Sequence, residues 1–397
     1  MSRDHILVLN AGSSSIKFAQ FCIGEPGSPP ALTIDGQVDG IGGTVRFAAK
    51  DQTGAALPDP DDREFEPISD HRGALSLLFA WMDRHGGGGQ SRAAGHRVVH
   101  GGGRFHEPVH VDPETLETLE TFCHLAPHHQ PHNVAAIREL MEQRPDLPQV
   151  ACFDTAFHAT QPTEAIRLPL PEEYWDKGLR RYGFHGLSYE YVTSAFPEKT
   201  GTPLPARTII VHLGNGASMC AVKEGKSMAT TMGFSTLDGL MMGTRCGTLD
   251  PGVLIYLMGS EGLDTDALED LLYNRSGLLG ASGISADMRV LLASNEPEAA
   301  EAVRQYCYRV EREIGSLAAA IGGVDALIFT GGIGENAASI RATVLRGMAW
   351  LGFALDEAAN EAGGARLTHK NAGPQAWVID TDEQAVIARH CCRVLGL

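Results

Sequence analysis

Two stretches of the chain share one pattern, in which an apolar strand-like run is followed by a small polar turn with glycine and then a second apolar run. The first covers residues 6–19 and the second residues 208–221, and Gly12 aligns with Gly214. About half of the 397 residues separate the two copies. A repeat of this kind indicates a duplicated domain, so each half of the chain is predicted to carry one glycine turn.

Strand-like runs alternate with helical patterns along the rest of the chain, which favours an α/β architecture. One helix is predicted to begin at Pro113, with Asp112 as its N-cap. A helix over 302–321 is indicated by apolar residues at positions 303, 306, 310, 314, 317 and 321. It leads into a buried strand predicted over 324–330.

The remaining segments are read from local composition. A short strand over 376–380 and a helix from about Glu383 are predicted to close the chain. The polar stretch 51–63 is predicted to be an exposed excursion. The stretch 84–92, which holds four consecutive glycines, is predicted to be a flexible connector.

Composition excludes several classes of function. The chain has 32 basic and 49 acidic residues and a net charge of −17, which argues against a nucleic-acid binder or an anionic-membrane binder. The apolar run at the N-terminus is too short for a signal peptide, and no stretch approaches the ~18 apolar residues of a membrane span. The eight cysteines form no C-x-x-C pair and are expected to be reduced thiols. A cytoplasmic protein is therefore expected.

Three small-residue turns follow apolar strands, at residues 10–17, 212–216 and 331–336. Glycine lets backbone N–H groups approach phosphate oxygens, and serine hydroxyls and Lys17 add donors and a positive charge. One such turn is usually a plain hairpin, but three in one chain favour nucleotide binding. None fits G-x-x-x-x-G-K-[ST] or G-x-G-x-x-G, so a P-loop enzyme is excluded and a dinucleotide fold is disfavoured.

With these turns in view, the chain resembles the acetate kinase family, which shares a superfamily with sugar kinases, actin and Hsp70-type ATPases. The resemblance runs over nearly the whole length and is carried by seven strings in order, at residues 9–17, 95–102, 153–158, 181–186, 212–216, 243–245 and 332–336. It implies a duplicated actin/Hsp70-like (ribonuclease H-like) two-domain α/β fold with a nucleotide cleft between the domains. The implied domains are 1–153 plus 383–397, and 154–382.

The resemblance also implies an activity, the reversible ATP-dependent phosphorylation of acetate to acetyl phosphate by a homodimer. Mg²⁺ is the expected metal, with Mn²⁺ as the alternative, and ATP or ADP is the co-substrate. Two other functions stay open, a kinase for propionate or another short acid and a non-catalytic nucleotide-switching protein of the same fold. Direct in-line transfer is favoured over a phosphorylated intermediate on Asp154 or Glu383.

Four residues are candidates for the chemistry of transfer. Arginine suits phosphoryl transfer because its planar fork binds two oxygens and stays charged, although Arg97 and Arg245 could equally be interdomain ion-pair partners. Without the resemblance, His185 is interpreted as a core or surface histidine, and Asp154 as a turn residue or helix cap. The resemblance implies instead that Arg97 holds the substrate carboxylate, while Arg245 and His185 stabilise the transition state. It gives Asp154 the task of aligning the metal and the reacting groups.

The metal and nucleotide residues are implied in the same way. Asn10 and Glu383 are the candidate Mg²⁺ ligands, although Glu383 also suits the first turn of a helix. The implied nucleotide-binding residues are Ser13, Ser15, Lys17, His212, Leu213, Gly214, Asn215, Gly216, Asp287, Met288, Arg289, Gly331, Gly332, Ile333, Gly334, Glu335 and Asn336.

The acid pocket is implied to contain Val99, Phe184, His128 and Thr236. His128 and Thr236 depart from the leucine and proline usual in the family, which leaves acetate against propionate open. Cys246, beside Arg245, replaces a usual serine and is expected to be prone to form a thiolate.

Four histidines lie close together at positions 124, 128, 129 and 132. They could suggest zinc, but Pro127 and Pro131 interrupt a helix there and no cysteine or acidic partner is near. Solvated loop histidines are the preferred interpretation.

Overall fold

The computed structural model describes residues 4–25, 27–60, 68–86, 90–371 and 373–397. The chain divides into two compact units, one running to Ala156 and resuming from Asp382 to Leu397, the other covering Phe157–Thr381. The first division was expected after residue 153, but the Asp154 amide donates to the Val98 carbonyl oxygen and its carboxylate pairs with Arg97, which keeps it in the first unit. Parts of the predicted excursion and connector, at 61–67 and 87–89, lie outside the described residues.

The first unit is built on a mixed sheet with the strand order β4-β3-β2-β1-β5-β7-β6 in the described part of the chain. Strands β1 to β3 form an antiparallel meander, while β1, β5 and β7 run parallel to one another. The strands are β1 (His5–Ala11), β2 (Ser15–Cys22), β3 (Ala31–Asp39), β4 (Arg46–Asp51), β5 (Ser91–Val98), β6 (Val109–His110) and β7 (Gln149–Phe153).

Helices cover both faces of this sheet. They are α1 (His71–His85), α2 (Pro113–Thr121), α3 (Gln130–Gln143) and the C-terminal α15 (Glu383–Leu395), with a 3-10 turn at Cys123–Leu125. Leu7 and Leu9 pack with residues of α1 and α3 in one core. On the opposite face, a Cβ on Gly95 would lie 2.4 Å from Ile387 Cγ2, so only glycine lets α15 pack this close to β5.

The second unit holds a sheet with the order β10-β9-β8-β11-β12 among its described residues. Its strands are β8 (Arg207–Leu213), β9 (Ala217–Lys223), β10 (Lys226–Thr230), β11 (Ala326–Thr330) and β12 (Gln375–Val378). Its helices are α4 (Thr163–Ile166), α5 (Glu172–Asp176), α6 (Gly186–Thr200), α7 (Pro251–Gly259), α8 (Thr265–Asn274), α9 (Gly277–Ser282), α10 (Met288–Ala293), α11 (Pro297–Ile321), α12 (Gly331–Asn336), α13 (Ala338–Gly347) and α14 (Glu357–Glu361). Two 3-10 segments lie at Ala156–Thr160 and Ala349–Leu351.

The two sheets repeat one topology. Strands β8 and β9 pair antiparallel as β1 and β2 do, and β8, β11 and β12 run parallel as β1, β5 and β7 do. Gly12 and Gly214 lie in the equivalent hairpins, and each amide donates across its own turn, Gly12 to Ser15 and Gly214 to Gly216. The predicted duplicated α/β fold is confirmed.

The elements predicted from the sequence are found close to their expected bounds. Helix α2 begins at Pro113, and the Asp112 side chain accepts from the Thr115 amide. The apolar stripe of α11 is buried at Tyr306, Val310, Ile314, Leu317 and Ile321. The third glycine turn, in contrast, is the short helix α12, because the Glu335 carboxylate accepts from the Gly331 amide and draws the segment into a helical turn. None of the described helices has the length and apolar character needed to cross a membrane.

Candidate active site

Four predicted site residues of the first unit lie together at one edge of its sheet. Because β1, β5 and β7 are parallel neighbours, their carboxyl ends bring together Asn10, Arg97 and Asp154, and α15 adds Glu383 at its first turn. Arg97 Nε and Nη2 donate to Asp154 Oδ1 and Oδ2 at 3.0 and 2.6 Å. Arg97 also lies 3.5 Å from Asn10 Oδ1 and 3.8 Å from Glu383 Oε2.

The carboxylates of Asp154 and Glu383 hold the Arg97 guanidinium in a fixed orientation. The Asp154 side chain is 2% exposed and the Arg97 side chain 23%, so the pair is largely screened from water. Burial alone would lower the pKa of Arg97, but the charges of Asp154 and Glu383 outweigh it and raise the pKa. Asp154 lies in the turn that follows β7, and it is in addition an ion-pair partner of Arg97.

Two polar residues at the start of α3 support this edge of the sheet. Gln130 donates to and accepts from the His100 backbone, each at 3.0 Å. Asn133 accepts from the Val99 amide at 3.0 Å and donates to the Ala11 carbonyl oxygen at 2.7 Å. Neither residue was predicted from the sequence. Two amide side chains three residues apart on the apolar face of a helix indicate buried hydrogen bonds, and both are buried here.

In the second unit, a histidine and an arginine converge on one glycine. A Cβ built on Gly216 would lie 2.6 Å from Arg245 Nη2 and 3.5 Å from His185 Nε2. Arg245 Nη1 donates to the Thr236 carbonyl oxygen at 2.8 Å. The His185 ring stacks on His212 with centroids 4.4 Å apart, which places three predicted site residues around the β8–β9 turn.

The backbone of His185 adopts a conformation that is rare for a residue with a side chain. Its φ and ψ are 59° and 24°, in the left-handed region. A buried histidine, His158, holds this turn, with Nε2 at 3.0 Å from the Phe184 carbonyl oxygen and Nδ1 at 2.9 Å from Ser227 Oγ. Burial lowers the pKa of His158 to about 4, so the ring is neutral near pH 7 and its Nε2–H donates to Phe184.

Three predicted nucleotide-binding segments line one cavity of about 570 Å³ in the second unit. Its volume is in the range of small-molecule sites. The lining residues are Gly214, Asn215, Ala286, Asp287, Met288, Arg289, Leu292, Gly332, Ile333, Asn336 and Ala337. Arg289 is paired with Asp287 at 2.6 Å, and this partner lowers the pKa of Asp287.

Other predicted nucleotide residues lie around that cavity without lining it. Glu335 accepts from the Gly331 amide, from Thr330 Oγ1 and from the Thr381 amide, so it holds the start of α12. Arg341, which is 2% exposed, donates to the carbonyl oxygens of Gly334 and Glu335 and fixes the end of α12. These contacts fix the shape of residues 331–336 at the edge of the cavity. Of the remaining residues, His212 and Leu213 end strand β8, and Gly216 lies in the turn between β8 and β9.

In the first unit, the hairpin residues Ser13 and Lys17 are exposed and Ser15 is half-buried. Lys17 is the cross-strand partner of Asn10. A phosphate contact from these three residues stays a prediction.

The predicted acid-pocket residues are placed differently from one another. Val99 in the first unit and Phe184 in the second are buried. His128 is exposed in the turn before α3, and Thr236 is half-buried in the second unit. Their joint role in a pocket stays a prediction.

The expectation for Cys246 is wrong. Burial raises the pKa of its thiol, and the nearby charge of Asp238 adds to this, so a thiolate is disfavoured. The four-histidine segment includes the N-terminus of α3, where Pro131 occupies the first turn rather than breaking the helix. Within the described residues, no group of three or more His, Cys, Asp or Glu side chains is arranged to hold a metal ion.

Comparison with known proteins connects this geometry to a family. The chain matches the Acetokinase family over residues 5–389. It belongs to the acetokinase family. It is 49% identical over 394 residues to an acetate kinase of Rhodopseudomonas palustris, with 98% of each chain covered. Membership confirms the predicted family and, with it, an acetate-phosphorylating kinase as the enzyme class.

Solved structures of the family have the same fold. A propionate kinase from Francisella tularensis superposes with a TM-score of 0.89 at 35% identity, covering 98% of this chain and 99% of its own. The acetate kinase of Porphyromonas gingivalis gives 0.87 at 34% identity, covering 99% and 100%. The family as a whole therefore supports the predicted two-unit α/β fold and an ATP or ADP co-substrate.

Proposed function

We propose that this chain catalyses the reversible phosphorylation of acetate by ATP through direct in-line transfer. The bond between the γ-phosphorus and the ADP oxygen breaks, and a bond from that phosphorus to an acetate oxygen forms. Acetate is ionised near neutral pH, so no base is needed to remove a proton. Catalysis then rests on alignment and on stabilising charge at the phosphoryl oxygens.

The observation that carries this proposal is the pairing of Arg97 with Asp154. Both Asp154 oxygens are engaged by Arg97 and the carboxylate is 2% exposed, so it is poorly placed to act as a phosphoryl acceptor. Its role is to orient Arg97, whose Nη1 donors remain directed to Asn10 and to an incoming acetate carboxylate. This arrangement favours direct transfer over a phosphorylated Asp154.

We assign the charge on the transferring group to residues of the second unit. Arg245 and His185 both approach Gly216, in a glycine turn whose amides suit phosphate oxygens. The 570 Å³ cavity would receive the adenosine, with Met288 and Ile333 as its apolar contacts.

The residues of the first unit fit a magnesium ion. Amide and carboxylate oxygens are donors that Mg²⁺ prefers, so Asn10 and Glu383 would hold the ion. When bound, Mg²⁺ would screen charge on the phosphate oxygens. The same donor set would also accept Mn²⁺.

We propose acetate as the preferred acid. The apolar Val99 limits the space for the acyl chain, and one added methylene changes recognition by only ~1–3 kcal/mol. Propionate is the second candidate, because His128 and Thr236 differ from the usual pocket residues and because the propionate kinase of Francisella tularensis has this fold.

A panel of acids tests the function directly. ATP consumption is measured with formate, acetate, propionate and butyrate, and hydroxylamine traps any acyl phosphate. We expect trapped acetyl hydroxamate and the highest kcat/KM with acetate. A higher kcat/KM with propionate than with acetate would show that propionate is the preferred acid. ATP turnover without trapped product would contradict acid phosphorylation. Retention of ³²P on the protein after acid quench would contradict direct transfer.

We also propose that the enzyme is a homodimer of the cytoplasm. Helix α7 supports a dimer contact because Val253, Ile255, Tyr256 and Met258 are between 43% and 73% exposed, which is unusual for a monomer surface. The predicted reduced state of the cysteines suits the cytoplasm. Light scattering on wild type and Ile255→Asp tests the dimer, and a wild-type monomer at micromolar concentration would contradict it.

A further inference from the structure

A chain of buried hydroxyl groups lies behind the His185 ring. His185 Nδ1 is 2.8 Å from Ser218 Oγ, and Ser218 Oγ is 2.5 Å from the hydroxyl of Tyr189. Ser218 lies on β9 and Tyr189 on α6, and both are fully buried. The other ring nitrogen, Nε2, lies toward Gly216, on the side where Arg245 approaches.

The proton on a neutral imidazole decides what His185 can do. A neutral ring carries one N–H, on Nδ1 or on Nε2, and the hydrogen bond at one nitrogen sets the state of the other. Phosphoryl oxygens only accept hydrogen bonds, so His185 helps a phosphoryl group only when Nε2 carries a proton. If Nδ1 held the single proton, Nε2 would present a lone pair to the phosphoryl group.

The direction of the hydroxyl chain follows from acidity. A phenol, with a pKa near 10, is a stronger acid than a serine hydroxyl, and its oxygen is the weaker acceptor. The favoured order is therefore that Tyr189 donates to Ser218 and Ser218 donates to His185 Nδ1. That order leaves the proton of the neutral ring on Nε2.

The His185 ring has an arginine and a second histidine beside it. The titratable and charged groups around it include His212 from β8, Tyr189 from α6 and Arg245 from the segment before α7. The His212 ring stacks at 4.4 Å, and Arg245 is a cation on the Nε2 side. A neutral ring with a proton on Nε2 donates to phosphate without adding to this positive charge.

We propose that Ser218 and Tyr189 are positioning residues that hold neutral His185 as its Nε2–H tautomer. His185 then donates a hydrogen bond to the transferring phosphoryl group at pH values where it is not protonated. The inference rests on the phosphoryl contact of His185 in the proposed function. The tautomer itself can be measured without any turnover.

The first experiment is nitrogen NMR on enzyme labelled with ¹⁵N-histidine at pH 7.5, with the His185 signals assigned from His185→Asn. We expect the shift pattern of an Nε2–H neutral ring in wild type. Ser218→Ala should convert a substantial part of the population to the Nδ1–H form, Tyr189→Phe a smaller part, and Ser218→Thr should restore the wild-type pattern. An Nδ1–H ring or an imidazolium in wild type would overturn the proposal.

The second experiment is kinetic. Without Ser218, part of the neutral His185 population would carry its proton on Nδ1 and lose the Nε2–H donor, so kcat of Ser218→Ala should fall severalfold at pH 8, with KM for ATP little changed. Ser218→Thr, which keeps the hydroxyl group, should keep the wild-type kcat, and a loss as large as that of Ser218→Ala would mean a merely structural effect and would count against the proposal. Circular dichroism and the melting temperature show whether each variant is folded.

A matched control is available in the neighbouring histidine. Ser188 Oγ lies 2.8 Å from His212 Nδ1, which repeats the serine–histidine contact one ring away. Ser188→Ala should leave the His185 tautomer unchanged, and a shift there would contradict the specific role of Ser218. If His185→Asn keeps full turnover while wild type shows the Nε2–H ring, the proposed role of His185 fails but the tautomer assignment stands.

Discussion

Arg97 and Arg245 are residues of the same type in opposite electrostatic settings. In the first unit, Arg97 is held by the two oxygens of Asp154, with Glu383 also within 3.8 Å. In the second unit, the Arg245 guanidinium is oriented by a neutral group, the Thr236 carbonyl oxygen, and lies beside His185 at Gly216. Arg97 thus contacts carboxylates, whereas Arg245 contacts a carbonyl oxygen and lies beside a histidine ring.

The difference teaches how one side chain can serve two tasks. A guanidinium already paired with carboxylates gains little more charge stabilisation, so Arg97 mainly fixes direction. The Arg245 guanidinium lies beside His185 at a glycine turn whose amides suit phosphate oxygens, so Arg245 suits the stabilisation of charge in the transition state. The contrast between the two units can be tested in four ways, from the largest expected effect to the smallest.

Replacing Arg245 should have the largest effect. Arg245→Ala removes positive charge at the transferring phosphoryl group and should lower kcat by about 10³ to 10⁵, with smaller changes in both KM values. Steady-state kinetics with acetate and ATP measure this. Arg346→Ala, which breaks the exposed ion pair with Glu357, is the matched control and should cost less than twofold. A loss below tenfold in Arg245→Ala would remove the distinction between the arginines.

Breaking the Arg97–Asp154 pair should affect both activity and stability. Asp154→Ala leaves a largely buried guanidinium short of a partner and should lower the free energy of unfolding by about 3 kcal/mol, with kcat/KM for acetate down about 10² to 10³. Urea unfolding and kinetics are the measurements. The double variant with Arg97→Ala should lose much less than the sum of the single changes. Additive losses would show that the two residues act separately.

The two glycine turns should respond unequally to alanine. Gly216→Ala puts a methyl group 2.6 Å from Arg245 Nη2 and should lower kcat by about tenfold to a hundredfold, since ångström-scale displacement of a catalytic group has this cost. Gly12→Ala meets no atom closer than Ser15 Oγ at 3.4 Å and should lose less than threefold. Equal kcat values for the two variants would contradict the convergence on Gly216.

Lowering the pH should reduce the stability of the first unit more steeply than that of the second. Burial lowers the pKa of His96 to about 4 and of His100 to about 3 in the first unit, and of His158 to about 4 in the second. Each unfolded histidine takes up a proton below about pH 6.5 while the folded one does not, so stability falls with pH between 6.5 and 4. In that window, each of these histidines lowers the free energy of unfolding by up to about 1.4 kcal/mol for each unit by which the pH falls.

Hydrogen exchange, corrected for its intrinsic pH dependence, can follow the units separately. Strands β5 and β7 should lose protection faster than β8 and β11 between pH 6.5 and 5, because burial lowers the pKa of His5, His96 and His100 in the first unit and of His158 in the second. Replacing His96 by Gln should reduce the slope for β5 alone. Equal slopes in both units would remove this distinction.

Much of the fold was predictable because it depends on local patterns. The repeated glycine turns marked the duplication, Asp112 and Pro113 marked the start of α2, and the stripe from Tyr306 to Ile321 marked α11. The helical form of residues 331–336 was not predicted, because a strand followed by glycines looks the same whether a turn or a helix follows. The Glu335 contact that decides between them is made only when the segment has folded.

By itself, the sequence determined which residue types the site contains and where the two glycine turns fall, since backbone preference and apolar periodicity are local properties. Only the tertiary structure decided what each side chain meets. Asp154 is the partner of Arg97, Cys246 has a raised pKa, and Ser218 with Tyr189 lies behind His185. Burial and long-range pairing set these properties, and neither exists until distant strands are brought together.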